Sequence, residues 1–165
     1  MKTYSRYFIL VVLFFICACA TKKKELVSTP QQKATPVDSL LAAIEREPCF
    51  GKCPEFYASI YKSGYVVYNG KKNVDLIGKY AGRLDANQVQ EFYNTISLYR
   101  MEQKDSLYVN KFLVDYPCFT LWISAQQPTR KIHLCTQEPP DDIAGFADYF
   151  ERVLKNTTFK KITEK

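Results

Sequence analysis

The stretch PEFYASIYKSGYVVYNG, residues 54–70, alternates apolar side chains with tyrosines and small polar residues on both sides of a short break. Successive residues of an extended chain face opposite sides. One side of this stretch is therefore apolar, and the other carries Tyr57 and Tyr61. The break, Lys62-Ser63-Gly64, supplies a turn in which glycine accepts a positive φ. A period-two pattern that reverses at a turn predicts a β-hairpin, and this hairpin sets the class of the fold.

Further strands are predicted on both sides of this hairpin. Asn69-Gly70 is a second turn signal, and beyond it Val74, Leu76 and Tyr80 mark a third strand. Upstream, Ala43 to Arg46 is a candidate for a short first strand. The first half of the domain is thus predicted as consecutive antiparallel strands.

A helix is predicted where the hydrophobic period changes. In LDANQVQEFYNTISLY, residues 84–99, Asp85 can cap the first turn and Gln88 completes a capping-box pattern. Four apolar residues recur at helical spacing and predict an amphipathic helix that lies on the sheet: Val89, Phe92, Ile96 and Tyr99. A long loop is expected from about Met101 to Pro117.

A second hairpin is predicted from CFTLWIS, residues 118–124, and RKIHLC, residues 130–135. Pairing position 121 with 132, and 119 with 134, collects four apolar side chains on one face: Phe119, Leu121, Ile132 and Leu134. The same register places Cys118 opposite Cys135 on the other face, together with Trp122 and His133.

The last element is a helix that begins at Pro139-Pro140-Asp141-Asp142, where acidic residues suit the positive end of the helix dipole. Its apolar stripe consists of Ile143, Phe146, Phe150 and Leu154. The predicted order is βββ-α-ββ-α. Hairpins in place of βαβ units predict an α+β fold, with an antiparallel sheet and two helices packed on one face.

The N-terminus has the features of an export signal. Two basic residues precede an apolar run, Tyr7 to Phe15, which is shorter than the roughly 20 residues that span a membrane. The run ends Ile16-Cys17-Ala18-Cys19, which resembles the bacterial lipobox before a cysteine that receives diacylglycerol. Residues 1–18 are predicted as a lipoprotein signal peptide and Cys19 as the lipidated residue, with a plain signal peptide or an uncleaved anchor as alternatives.

The rest of the chain is divided by composition. Residues 19–39 are predicted as the lipidated cysteine with a flexible tether, 40–159 as a single domain, and 160–165 as a basic tail. Loss of two basic residues with the leader lowers the 23 basic groups to 21 against 17 acidic ones, a net charge of +4. An exported chain without an Arg-rich stripe or an RNA-binding motif is not expected to bind nucleic acid.

Four further cysteines, Cys49, Cys53, Cys118 and Cys135, allow three disulfide connectivities. Export to an oxidising compartment favours disulfides over free thiols. Two local pairs are preferred, because Cys118 and Cys135 are opposite on a hairpin and CFGKC can close a tight turn at Gly51. Crossed pairs and reduced thiols remain open.

An alternative hypothesis makes Cys49 and Cys53 a thiol-disulfide redox site. Oxidoreductases similar to thioredoxin place Cys-x-x-Cys at a helix N-terminus, whereas here three residues intervene and Pro54 and a strand follow. A metal site that adds His133 and Cys135 lacks the paired spacing of zinc ribbons. His133, the single histidine, is interpreted as a surface residue of a strand. No catalytic residue, metal or cofactor is predicted.

Two kinds of surface site remain. One is an aromatic cluster opposite the apolar stripes, formed by Tyr57, Tyr61 and Trp122. Such a cluster is typical of a surface that binds a peptide, a glycan or another envelope protein. A second layer that covers this face would explain it equally well. Ser39 and Ser106 each occur in Asp-Ser-Leu, a pattern similar to the O-glycosylation acceptor of some Bacteroidota.

The residues around CFGKC resemble a domain of unknown function that is common in Bacteroidota lipoproteins. The resemblance rests on three motifs: ER-x-x-CFG-x-CP-x-(Y/F) at 45–56, I-x-x-x-G-x-V-x-Y-x-G at 60–70, and Asp115-x-Pro117. The first motif departs from the family pattern at Phe56, where tyrosine is expected. It spans about Ile44 to Leu154 and implies an envelope location without an established activity.

Together these features predict a lipid-anchored envelope protein with a non-enzymatic binding or structural domain. Its expected contacts are the membrane, through the lipid, and an envelope protein, peptide or glycan. The residues after Cys19 lack the acidic pair that some Bacteroidota lipoproteins use for surface export. The expected location is therefore the outer membrane, facing the periplasm. Lysines at 22–24 would add attraction to anionic headgroups.

Overall fold

The computed structural model describes residues 38–113 and 115–162, which form one eight-stranded sheet and two helices. The strands are β1 Leu40–Arg46, β2 Glu55–Tyr61, β3 Tyr65–Lys72, β4 Gly78–Arg83, β5 Leu107–Val109, β6 Phe119–Ile123, β7 Arg130–Cys135 and β8 Lys160–Lys161. The helices are α1 Ala86–Leu98 and α2 Asp141–Asn156, and a 3-10 turn spans Met101–Gln103.

The strands lie in the order β5-β7-β6-β1-β2-β3-β4-β8. The first strand is central, because β1 pairs antiparallel with both β2 and β6. Both predicted hairpins form: Ile60 lies opposite Val66 in the first, and the second has the predicted register, with Leu121 opposite Ile132. The α+β class with an antiparallel sheet of hairpins is confirmed.

Both helices pack on one face of the sheet. The Phe92 ring of α1 meets Phe146 and Phe150 of α2 edge-on, with centroid distances of 5.8 and 5.2 Å. Arg46 of β1 forms an ion pair with Glu151 of α2, which ties the second helix to the sheet. The buried apolar residues of the sheet and helices form one cluster, so the described residues are a self-contained folding unit.

The predicted helix start is confirmed in detail. The backbone N–H of Gln88 donates to Asp85 Oδ1 at 2.9 Å, and the backbone N–H of Asp85 donates to Gln88 Oε1 at 2.8 Å. This reciprocal capping box satisfies two donors of the first turn. In the second helix all four residues of the predicted stripe are buried.

The predicted turn at Asn69-Gly70 and the strand at Val74 and Leu76 are wrong. The third strand, β3, continues through Gly70, and β4 begins only at Gly78. The loop between them folds back onto β3, so that a Cβ at Gly70 would lie 1.8 Å from the Leu76 carbonyl oxygen. Glycine is needed there for close approach of the backbone, and the chain reverses further on.

Two short strands are additions to the predicted elements. The fifth strand, β5, lies within the predicted loop 101–117 and pairs parallel with β7. Lys160 and Lys161, predicted as part of a basic tail, pair with β4 as β8. Strands of two or three residues are too short for an alternating pattern to be visible in the sequence.

The predicted signal peptide, Cys19 and most of the tether lie outside the described residues. The described part of the chain contains no helix with the length and apolarity required to cross a membrane.

Candidate binding face

The sheet face opposite the helices, which we call the open face, carries the aromatic residues predicted for binding. Residues paired across neighbouring strands share a face. One row of such pairs on this face is Val67, Ser59, Ala43, Trp122 and Lys131. The adjacent row is Asn69, Tyr57, Glu45, Thr120 and His133.

An aromatic pair lies at the centre of the open face. The Tyr57 and Trp122 rings meet edge-on with centroids 5.9 Å apart. They reach each other from β2 and β6 across β1, where Ala43 is small and fully buried. Lys131 Nζ lies 5.7 Å from the Trp122 centroid, within the range of a cation–π contact. The result is a partly exposed aromatic patch with a cation at its edge.

The third predicted aromatic residue, Tyr61, makes its ring contact outside the Tyr57–Trp122 pair. Its ring is 6.1 Å from that of Tyr65, at the end of the hairpin. Burial raises the pKa of the Tyr57 phenol, and the neighbouring Tyr61 and Glu45 raise this pKa further. The Tyr57 hydroxyl is therefore protonated at neutral pH and can donate a hydrogen bond.

Beside the aromatic patch, His133 has two polar partners. Thr120 Oγ1 donates to Glu47 Oε1 at 2.9 Å. The Nδ1 atom of His133 lies 2.9 Å from Thr120 Oγ1 and 3.2 Å from Glu47 Oε1. Because the single hydroxyl proton of Thr120 is directed to Glu47, Nδ1 of His133 carries the hydrogen in this network.

This trio does not have the geometry of a nucleophile relay. In such a relay the hydroxyl and the carboxylate contact different nitrogens of the imidazole. Here both contact Nδ1, so the carboxylate and the hydroxyl orient the ring. His133 lies on a strand, as the sequence predicts, but neither of its partners is among the predicted site residues. The hairpin register could have indicated Thr120, whereas Glu47 follows the end of β1 and carries no local signal.

The four predicted disulfide cysteines lie at the same end of the central strands in two local pairs. Cys118 precedes β6 and Cys135 ends β7, with Cα atoms 4.5 Å apart and sulfurs at bonding distance. Cys49 and Cys53 are joined in the same way within the β1–β2 connection, with Cα atoms 5.8 Å apart. The crossed connectivities that the sequence left open do not occur in this arrangement.

The surroundings of Cys49 and Cys53 differ from those of a thioredoxin-like site. The two cysteines lie between strands, and the described helices begin elsewhere, at Ala86 and Asp141. A thiolate here would lack the helix N-terminus that lowers a cysteine pKa in such enzymes. Among residues 38–113 and 115–162, no three His, Cys, Asp or Glu side chains are grouped closely enough to hold a metal.

Both predicted glycosylation serines are exposed at the ends of strands. The Ser39 carbonyl accepts from the Lys62 backbone N–H at 2.9 Å, so Ser39 lies beside the first hairpin and is tied to the domain. The Ser106 carbonyl accepts from the His133 backbone N–H at 3.0 Å. Their glycosylation stays a prediction.

The fold and the open face define a class: a small α+β domain with one sheet, helices on one side and a partly exposed aromatic patch on the other. A family model matches residues 41–154, and its description is Domain of unknown function (DUF6438). The chain belongs to this family, whose description assigns no activity. No curated protein matches the chain. The predicted membership of a family of unknown function is thus confirmed.

Proposed function

We propose that this protein is a lipid-anchored component of a bacterial cell envelope whose open face binds glycan. The observation that supports this most is the Tyr57–Trp122 pair on the open face. Both described helices pack on the opposite face of the sheet. Contiguous exposed aromatic surface on a small domain is typical of interaction sites, because it leaves apolar area in contact with water.

The chemistry of the open face favours a sugar over a protein partner. A pyranose ring has an apolar C–H face, which suits the electron-rich face of an aromatic ring, and hydroxyl groups at its edge. Around the patch, Glu45, Asn69 and His133 offer acceptors and donors for those hydroxyls. Protein interfaces are instead depleted of charged residues at their cores, and peptides commonly add to sheet edges or enter grooves.

The glycan proposal predicts that Trp122→Ala removes most of the binding. Retention on purified peptidoglycan sacculi, measured over a series of sacculus concentrations, should weaken about tenfold or more, because Trp122 is the large central contact. Leu98→Ala is the matched control, since Leu98 is a 77% exposed apolar residue of α1, on the helix side of the sheet. The control should bind like the parent.

Thermal unfolding of both variants shows whether the fold is retained. If the folded Trp122→Ala protein binds sacculi as well as the parent, or if the parent does not bind at all, the open face is not the glycan site. Tyr57→Ala provides a second variant in the same patch, and it should also weaken retention.

The anchor is supported by the lipobox that ends at Cys19, and it predicts different effects for two neighbouring cysteines. Cys19→Ser should abolish the added lipid mass, whereas Cys17→Ser should leave the protein lipidated and at the membrane, because Cys17 is removed with the leader. Fractionation and the intact mass of the extracted protein measure both effects. A Cys19→Ser protein that still carries added lipid mass, or a parent protein that carries none, would contradict lipidation at this residue.

A further inference from the structure

A cleft of about 670 Å³ opens on the helix side of the molecule, away from the open face. It lies between the β3–β4 loop, the C-terminal half of α2 and the segment that leads to β8. Its volume is in the range of small-molecule sites, which run from about 300 to 1,000 Å³.

The floor of the cleft is aromatic. The rings of Phe56 and Tyr68 are stacked with centroids 5.3 Å apart, and Phe159 tilts against Tyr68 at 5.6 Å. Leu76 from the β3–β4 loop and Leu154 from α2 add aliphatic walls. This lining suits a ligand with an apolar body of about the size of one ring.

The carboxylates of the cleft differ in their partners. Glu151 is already paired with Arg46, which fixes it against the sheet. Asp75 is exposed on the β3–β4 loop, and no cation of the described residues lies within ion-pairing distance of it. Of the two cations that line the cleft, Arg152 has its guanidinium 5.7 Å from the Tyr149 ring, and Lys155 is exposed on α2. Asp75 is therefore the carboxylate of the cleft that a ligand could neutralise.

The Tyr68 phenol on the floor is influenced by burial and by both carboxylates. Burial raises its pKa to about 12, and Asp75 and Glu151 contribute to that rise. Both carboxylates therefore act on the floor of the cleft, where the hydroxyl stays protonated at neutral pH and can take part in a hydrogen bond. A cation is attracted to such a place by the unpaired carboxylate of Asp75 and by the faces of the aromatic rings.

We propose that this cleft binds small organic cations, namely amines that carry an apolar body of about one ring. The ring of the ligand packs on Phe56, Tyr68 and Phe159, and its ammonium group pairs with Asp75. The site is independent of the glycan-binding face, because its residues belong to the opposite side of the sheet.

The test compares two ligands of almost equal shape and opposite charge, 2-phenylethylamine and phenylacetate. Each is titrated into the ¹⁵N-labelled chain from Ala20 to Lys165, which contains the whole described folding unit, and backbone resonances are followed. The amine should cause saturable shifts at residues 73–76 and 151–155, with a Kd on the order of millimolar for so small a ligand. Phenylacetate should cause none.

Asp75→Asn should weaken the amine about fivefold, the effect of removing one exposed ion pair. Asp148→Asn, a change at an exposed aspartate of α2 outside the cleft lining, is the matched control and should not change the affinity. Equal binding of the amine and the acid, shifts outside the cleft, or an unchanged affinity in Asp75→Asn would each overturn the proposal.

Discussion

Phe92→Ala is expected to destabilise the domain by about 3–5 kcal/mol, which is a large part of the stability of a domain of this size. Phe92 is fully buried, and its ring contacts three aromatic rings of α2. Truncation removes the transfer free energy of the ring and leaves a cavity between the helices that the surrounding rings cannot fill. The free energy of unfolding, measured with urea on the chain from Ala20 onward, tests this.

Phe50→Ala is the matched control for this change, because it removes the same ring from a position that is 88% exposed. It should alter the free energy of unfolding by less than about 0.5 kcal/mol. Similar losses in the two variants would show that Phe92 is not the centre of the packing between α1 and α2.

The second large effect is expected from Cys118→Ser with Cys135→Ser. These cysteines are separated by 17 positions, and closing a loop of that length stabilises a fold by about 3 kcal/mol through the entropy of the unfolded chain. Cys49 and Cys53 are separated by only 4 positions, so the corresponding double variant should lose less, about 2 kcal/mol. Urea denaturation of the two double variants and the parent measures the difference.

The same experiment requires that both bonds are present in the native protein. Mass spectrometry after alkylation without reduction should find these four cysteines unmodified. Alkylation of Cys49 or Cys53 in the unreduced native protein, or a larger loss from the shorter loop, would contradict the disulfide scaffold. Alkylation of Cys49 or Cys53 would bring the redox alternative back to first place.

The features that the sequence predicts well are those with a period. The alternation at 54–70 and the stripe in α2 each depend on burial of one face. In the strands, a one-residue slip would move every apolar side chain to the opposite face. The register of the second hairpin follows for the same reason, since it is the one that collects Phe119, Leu121, Ile132 and Leu134. Helix capping at Asp85 is equally local.

The features that the sequence hides depend on distant contacts. The sequence pattern at Gly70 predicts a turn. The structure instead needs glycine there because the β3–β4 loop packs closely against the backbone of β3. The His133 network joins Glu47 to His133, two residues that are 86 positions apart. No local pattern predicts the strand pairing that brings them together. The cleft lies between the β3–β4 loop and the C-terminal half of α2, and neither segment shows alone that a cavity forms.

The central claim, that the open face binds glycan, is tested most directly by the indole N–H resonance of Trp122. The chain contains a single tryptophan, so its ¹H–¹⁵N spectrum has one indole signal, and that signal reports on the centre of the open face. Soluble peptidoglycan fragments should move it saturably, with the largest backbone shifts in β2, β6 and β7. An indole signal that stays in place while fragments are bound elsewhere, or a spectrum that does not change at all, would contradict the account.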